Sequence, residues 1–437
     1  MIRNWIPVVS TLIAFGCGEQ APVTPPKVTK KPAAETAPAD AAKEDAESGE
    51  YVPLQEGLDG DPTLSFVLCQ AWFTKDASGK PKPGPARMEI WRQGASGWAA
   101  TRLEDGESNV FHKALFTEDG SLLTISGDAA ALKRWTHADG KWTNETLWTQ
   151  EWEGKFNRLR DIEIGDVDGD GKDEYVIATH DFGVIAVVNP DEGAEGVIEL
   201  DKLADTFVHE IEIGDINGDG KLEFFATPTD RNKADASQKG MIAMYEWTGE
   251  TYERTIVEAV EGTHAKEILV ADIDGDGSDE LFSVFEAEIG PDKKIAQPVT
   301  IRQYTRGADG SFSVETIASI DDRQTRFLLA GDFDSDGRKE LVAAAMNTGL
   351  YLVDSTVADG KATWTATNFD NNSGGFEHAT IAADLDGDGK LELVVAADKQ
   401  RELKTYSWNA ETSTFDKTLI GKLQPSTFTW NIAAGQL

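Results

Sequence analysis

The sequence predicts an all-β fold, a seven-bladed β-propeller of four-stranded blades closed by pairing of the C-terminal strand with the first blade. Three observations carry this. An acidic, glycine-interrupted motif recurs five times at about one blade's spacing, each copy sits between short apolar segments with no helical period, and the last residues imitate a segment that the first repeat lacks.

In chain order, the first segments stand outside the wheel. Residues 1–17 hold an apolar run from Ile6 to Phe15 and a Gly-Cys pair. The run is too short to span a bilayer and reads as a secretory signal. Its ending, AFGC, resembles a bacterial lipobox, which implies lipidation of Cys17 and a membrane anchor. An ordinary cleaved signal peptide is the alternative. Residues 18–56 are rich in Pro, Ala, Glu and Lys and nearly lack large apolar groups before Tyr51, the composition of a disordered tether. Cys69, the other cysteine, sits in the strand-like LSFVLCQAWF and is expected to pack in the core.

Residues 57–437 carry the repeat. In GDVDGDGKDEYVIA (165–178), carboxylates stand at loop positions 1, 3 and 5, glycine at 6 and glutamate at 9. That spacing can gather oxygen ligands around one hard cation, and calcium takes 6 to 8 such ligands with flexible geometry. An EF-hand would need a glutamate at position 12, where Ile177 stands, and β-branched and aromatic residues follow. The loop is therefore expected inside a β-hairpin. GDINGDGKLE, ADIDGDGSDE, GDFDSDGRKE and ADLDGDGKLE repeat it, with first aspartates at 166, 215, 272, 332 and 384, which are 49, 57, 60 and 52 residues apart. Each copy joins two apolar strands, and two more follow around a polar turn, as in MIAMYEWTGETYERTIV. Residues 111–148 show the same rhythm without the motif. GLDGDPTLSFVLCQ (57–70) is a decayed copy lacking a first strand, and NIAAGQL (431–437) resembles that strand. Closing the ring this way removes exposed sheet edges.

The five loops resemble the FG-GAP/VCBS calcium repeat of integrin alpha-chain head propellers and many secreted bacterial proteins. The resemblance implies five calcium sites. Their ligands would be Asp166, Asp168, Asp170 and Glu174; Asp215, Asn217, Asp219 and Glu223; Asp272, Asp274, Asp276 and Glu280; Asp332, Asp334, Asp336 and Glu340; and Asp384, Asp386, Asp388 and Glu392. Position 7 would lend a backbone carbonyl, from Lys172, Lys221, Ser278, Arg338 and Lys390, with their side chains turned away. The ions are expected to be structural, because unscreened carboxylates in each loop would repel.

With 77 acidic against 41 basic residues and a formal charge of -36, nucleic acid is not an expected partner. The bases are patterned nonetheless. Six residues before each first aspartate stand Arg160, His209, Lys266, Arg326 and His378. This is the start of each innermost strand, near the central channel and opposite the calcium loops. Loops between second and third strands should share that face and add Lys75, Lys80, Lys82, Arg87, Arg231, Lys233, Lys239, Lys293, Lys294, Lys399 and Arg401. An anion-binding mouth follows, suited to an acidic glycan, a lipid headgroup or an acidic protein surface. The alternative is that these bases pair with neighbours such as Asp161, Glu210 and Glu267. Trp91, Trp98, Trp135, Trp142, Trp247, Trp364 and Trp408 fall in third and fourth strands and are expected to pack blades.

No G-x-S-x-G, H-E-x-x-H or P-loop motif occurs. The expected function is a calcium-stabilised, monomeric, extracytoplasmic binding or adhesion scaffold, not an enzyme. A propeller-type polysaccharide lyase or hydrolase using His209, His264 and His378, and a structural envelope component, are the alternatives.

Overall fold

Period-two apolar runs flank each acidic loop, so each loop becomes the turn of a hairpin. In the computed structural model, which describes residues 65–94, 97–152, 157–230, 239–358 and 361–436, five blades begin this way. Their first two strands are Leu159–Gly165 and Glu174–Thr179, Thr206–Gly214 and Glu223–Asp230, Ala265–Ala271 and Glu280–Phe285, Thr325–Gly331 and Glu340–Ala345, and Thr380–Ala383 and Glu392–Ala397. The position-9 glutamate is always the first residue of the second strand. The second blade, Val110–Phe116 to Lys141–Thr149, keeps the four strands with a short turn in place of the loop. Among the described residues each of the seven blades is an antiparallel sheet of four strands in order, as predicted; Pro81–Pro83 adds a short fifth strand to the first sheet, and Glu288–Ile289 pairs with Ile295–Gln297 in a separate two-stranded ribbon.

The wheel closes as expected. Thr427–Gly435 pairs along Ser65–Lys75, bringing Ile432 opposite Leu68 and Ala433 opposite Val67. The C-terminal strand is thus the innermost strand of the first blade. The proposed leader, tether, Cys17, the decayed loop at 57–64, Arg231 and Lys233 lie outside the described residues.

No single central core exists. The buried apolar residues form seven clusters, each between two neighbouring blades. Leu123, Ile125 and Leu132 of the second blade pack on Ile162, Ile177 and Ala186 of the third, and Phe66 and Leu68 of the first pack on Val394 and Ala396 of the last. Every blade therefore buries both faces, and second strands such as Glu340–Ala345 are buried throughout. The tryptophans follow this plan: Trp91 and Trp135 are buried within such clusters and Trp364 packs beside one. Cys69 is buried, and burial pushes its thiol up. With the apolar surface spent between blades, the polar residues of the innermost strands are left facing the axis.

Candidate functional site

In each acidic loop the backbone aims the carboxylates before any ion is considered. In the third blade, the Asp166 carboxylate accepts the N–H groups of Gly169 (2.8 Å) and Gly171 (2.9 Å), Asp168 that of Asp170 (3.0 Å), and Asp170 that of Lys172 (2.9 Å). Gly169 and Gly171 have φ of 75° and 89°, the left-handed region open to glycine. Oε2 of Glu174 accepts the Val167 N–H at 3.2 Å, leaving its buried Oε1 without a partner. The position-2 N–H makes the same bond in all five loops, and Glu340 Oε1 is likewise orphaned. Burial and the adjacent aspartates push Glu174, Glu280 and Glu340 up to about 7. Burial does the same to Glu223. A buried oxygen facing gathered carboxylates, with no protein donor to satisfy it, fits a hard divalent cation.

The loops are not equal. Ligand oxygens lie within 4.8 Å of one another in Asp166, Asp168 and Asp170, in Asp272, Asp274 and Asp276, in Asp332, Asp334, Asp336 and Glu340, and in Asp384, Asp386 and Glu392. The loop at Asp215 is not among these groups. Its Asn217 replaces a carboxylate and donates from Nδ2 to Glu223 Oε1 at 2.7 Å, and Arg306 approaches the same oxygen at 3.8 Å. The expectation for position 7 also needs correcting. Lys172 does turn away, to Asp191 at 2.7 Å, but the Arg338 guanidinium folds back onto Asp336 at 2.8 Å and Lys390 lies 3.7 Å from Asp388.

Neighbouring loops touch through position 8, which the sequence reading passed over. Asp279 accepts the Asp215 N–H at 2.8 Å, and Lys339 donates to the Asp272 carbonyl at 2.7 Å. Leu222 and Leu391 pack where Gly165 and Gly331 lack a side chain: a Cβ there would lie 3.1 and 2.6 Å from the leucine methyls. Each of these four position-8 residues thus rests on the start of the preceding blade's loop.

At the other end of the channel, Arg160, His209, Lys266 and Arg326 come together, but as a buried layer and not an open rim; His378 is buried apart from them, bonded to Ser373 Oγ and to the Ala345 carbonyl, each at 2.8 Å. Arg160 and Arg326 are 7% exposed, Lys266 2%, and His209 and His378 0%. The cause is a β-bulge. The pairing of inner and second strands skips Arg160, His209, Lys266 and Arg326, which re-aims these side chains. The same skip selects His112 in the second blade and Trp430 in the first, and His378 stands just before its strand with φ of 58°. The equivalent position is therefore occupied in all seven blades. His112 and Trp430 escaped the sequence alignment because their blades have no aspartate to align on.

These residues and a few neighbours close a circuit. Lys266 Nζ lies 2.8 Å from His209 Nδ1. The His209 ring centroid is 5.2 Å from that of His180, His180 is 6.2 Å from His112, and His112 is 5.1 Å from Trp430. Arg160 stacks 5.0 Å over Trp430 and approaches Glu377 at 3.8 Å. Glu377 also binds Arg326, which reaches Glu286 at 3.3 Å, and Glu286 faces His264 at 3.8 Å, 5.9 Å from His209. The acids are thus Glu286 and Glu377, not the neighbours anticipated. Arg87, placed on the rim by the sequence, is buried against Glu104 and Trp72 instead. Burial, with Lys266 or the arginines nearby, holds His112, His180 and His209 well below their ordinary value, and burial pushes His264 and His378 down to about 4. Burial and Arg326 hold Lys266 well below the usual ammonium range.

Directly beneath lies a layer of opposite sign. Lys113 pairs with Asp161 at 2.8 Å and with Glu163, while burial and mutual repulsion push Glu163, Glu210, Glu212 and Glu267 up.

A profile of the FG-GAP-like repeat matches residues 215–283 and 332–395, which span four of the five acidic loops. The chain is a seven-bladed propeller that carries FG-GAP-like repeats. No curated protein sequence matches it. Among solved structures, this FG-GAP-type propeller is similar to a candidate 6-phosphogluconolactonase from Bacteroides fragilis, at 17% identity and TM-score 0.52 over 86% of this chain and 99% of that one. A second, from Bacteroides uniformis, gives 14% identity and TM-score 0.53 over 86% and 100%. Likeness at that identity establishes the common wheel alone.

Proposed function

We propose that this FG-GAP-type propeller is a calcium-stabilised binding scaffold, not an enzyme, and that it recognises an acidic saccharide at the channel mouth. The observation that carries this reading is the buried layer in which Arg160, Lys266 and Arg326 meet two carboxylates, Glu286 and Glu377. Three basic groups thus meet two acids, and an anion placed beside Lys266 would favour its charged form, which burial and Arg326 disfavour. Phe73, Phe376 and Phe428 form a half-buried aromatic collar nearby, with Phe428 5.7 Å from Phe73 and 6.2 Å from Phe376. Such rings suit sugar faces, and guanidinium groups suit carboxylate or sulfate. Loops of this kind load calcium fully where the ion is millimolar, which favours action outside the cytoplasm.

The test is binding of the calcium-loaded protein to an array of acidic and neutral glycans. Retention on acidic glycans, weakened at least tenfold by Arg160→Ala and by chelation, supports the reading. Equal retention on neutral glycans, or turnover of any polysaccharide, overturns it.

A further inference from the structure

The buried basic layer contains more donors than it can use. Both ring nitrogens of His180, which is 8% exposed, lack a hydrogen-bond partner, as do Nε2 of His112, Nε1 of Trp430 and Nε of Arg326. All belong to the circuit around the mouth, and three of them are donors: Trp430 Nε1–H, Arg326 Nε–H and the one N–H of the His180 ring; His112 gives its Nδ1–H to the Leu159 carbonyl at 2.6 Å, which leaves its Nε2 an acceptor. His180 is held flat against Phe207, with centroids 4.6 Å apart and planes 15° apart, so its ring edge is fixed while its nitrogens go unmet. Buried donors without acceptors are rare and point to a missing group. A metal ion is the wrong group, because Arg160 and Lys266 would repel it.

We infer that the layer binds one oxyanion group, a carboxylate or phosphate, end-on between Lys266, His180 and Arg160, as the terminal charged group of its ligand. This rests on the proposed anionic ligand and sharpens it. Residues this buried cannot be reached side-on by the middle of a polymer, which leaves a terminal group, approaching beside the half-buried rings of Phe73, Phe376 and Phe428, as the part that reaches them. The acidic layer around Lys113 sets the depth. The oxyanion accepts from Lys266 Nζ, from the one N–H of the His180 ring and from the Arg160 guanidinium, and its charge favours the ammonium form of Lys266 that burial disfavours. Charge and donors thus ask for the same ligand, a compact anion with several acceptor oxygens.

The experiment is isothermal titration of the calcium-loaded full chain with inorganic phosphate, acetate, glucuronate and an acidic polysaccharide. The expected result is one saturable site for glucuronate or phosphate, with affinity falling at least tenfold in Lys266→Met and in His180→Phe, the latter keeping the stack on Phe207. The ranking of glucuronate, acetate and phosphate identifies the source of the group. No saturable binding of any small anion overturns the inference. If the polysaccharide still binds, the acidic-saccharide reading survives without it; if nothing binds, both fall. Binding unchanged in His180→Phe, with its melting curve intact, also overturns the inference, whether or not Lys266→Met folds.

Discussion

Single residues decide how evenly the wheel is held. Asn217 leaves its loop one carboxylate short and occupies the glutamate oxygen that the other loops leave open. Asn217→Asp should convert the weakest site into a strong one, and calcium titration should then count one more tight site than in the parent protein. An unchanged count would mean that Arg306 is what disables the loop. Asp398 shows a different dependence. It accepts the backbone N–H of Thr429 at 3.0 Å and its hydroxyl at 3.2 Å, which ties the last blade to the closing strand. Burial, with Glu377 adding to it, pushes its carboxyl up to about 7 from the ordinary 3.8. A carboxyl raised in the folded state stabilises fully at acid pH and loses that contribution as pH climbs from roughly 4 through 7. Asp398→Asn should therefore be more stable than the parent by about 2 kcal/mol at pH 8, and no more stable at pH 4. Denaturant melts at the two pH values check both signs.

At the level of elements, the position-8 contacts make the five hairpins a relay. Ordering one loop around an ion fixes the segment on which the next loop's Leu222, Asp279, Lys339 or Leu391 rests. Calcium binding should therefore be cooperative, and replacing Lys339 and Asp279 together with alanine should flatten the titration; an identical slope would show that the loops act alone. The hairpins themselves were readable from sequence, because alternating apolar residues and side-chain oxygens at fixed offsets are local properties. The basic position was readable only where an aspartate six residues away supplied the register. Its burial was not, since a β-bulge leaves no mark on residue type. Nor was the role of Glu286 and Glu377, which reach the channel from other blades and become partners only through the folded ring. The clash of signs between layers was hidden for the same reason: adjacent residues such as Arg160 and Asp161 point to different depths of one channel.

For the whole molecule, stability is distributed over seven blade interfaces and five loops, not concentrated in one core. Saturating calcium should raise the melting temperature by roughly 10–20 °C over chelated protein, since each site filled well above its dissociation constant adds about 2–3 kcal/mol. A melting curve unmoved by chelator would refute the structural role of the ions. Removing residues 427–437 should abolish the cooperative transition, because Ser65–Lys75 would lose its inner partner and Leu68 and Val67 their cover. That seam has a consequence in time. The first blade waits for a strand made after all the others, so a chain emerging end-first, from a ribosome or through a pore, stays an open arc until its final turn arrives. A product cut short upstream of that strand would keep a bare edge, and quality-control machinery could recognise it by that alone.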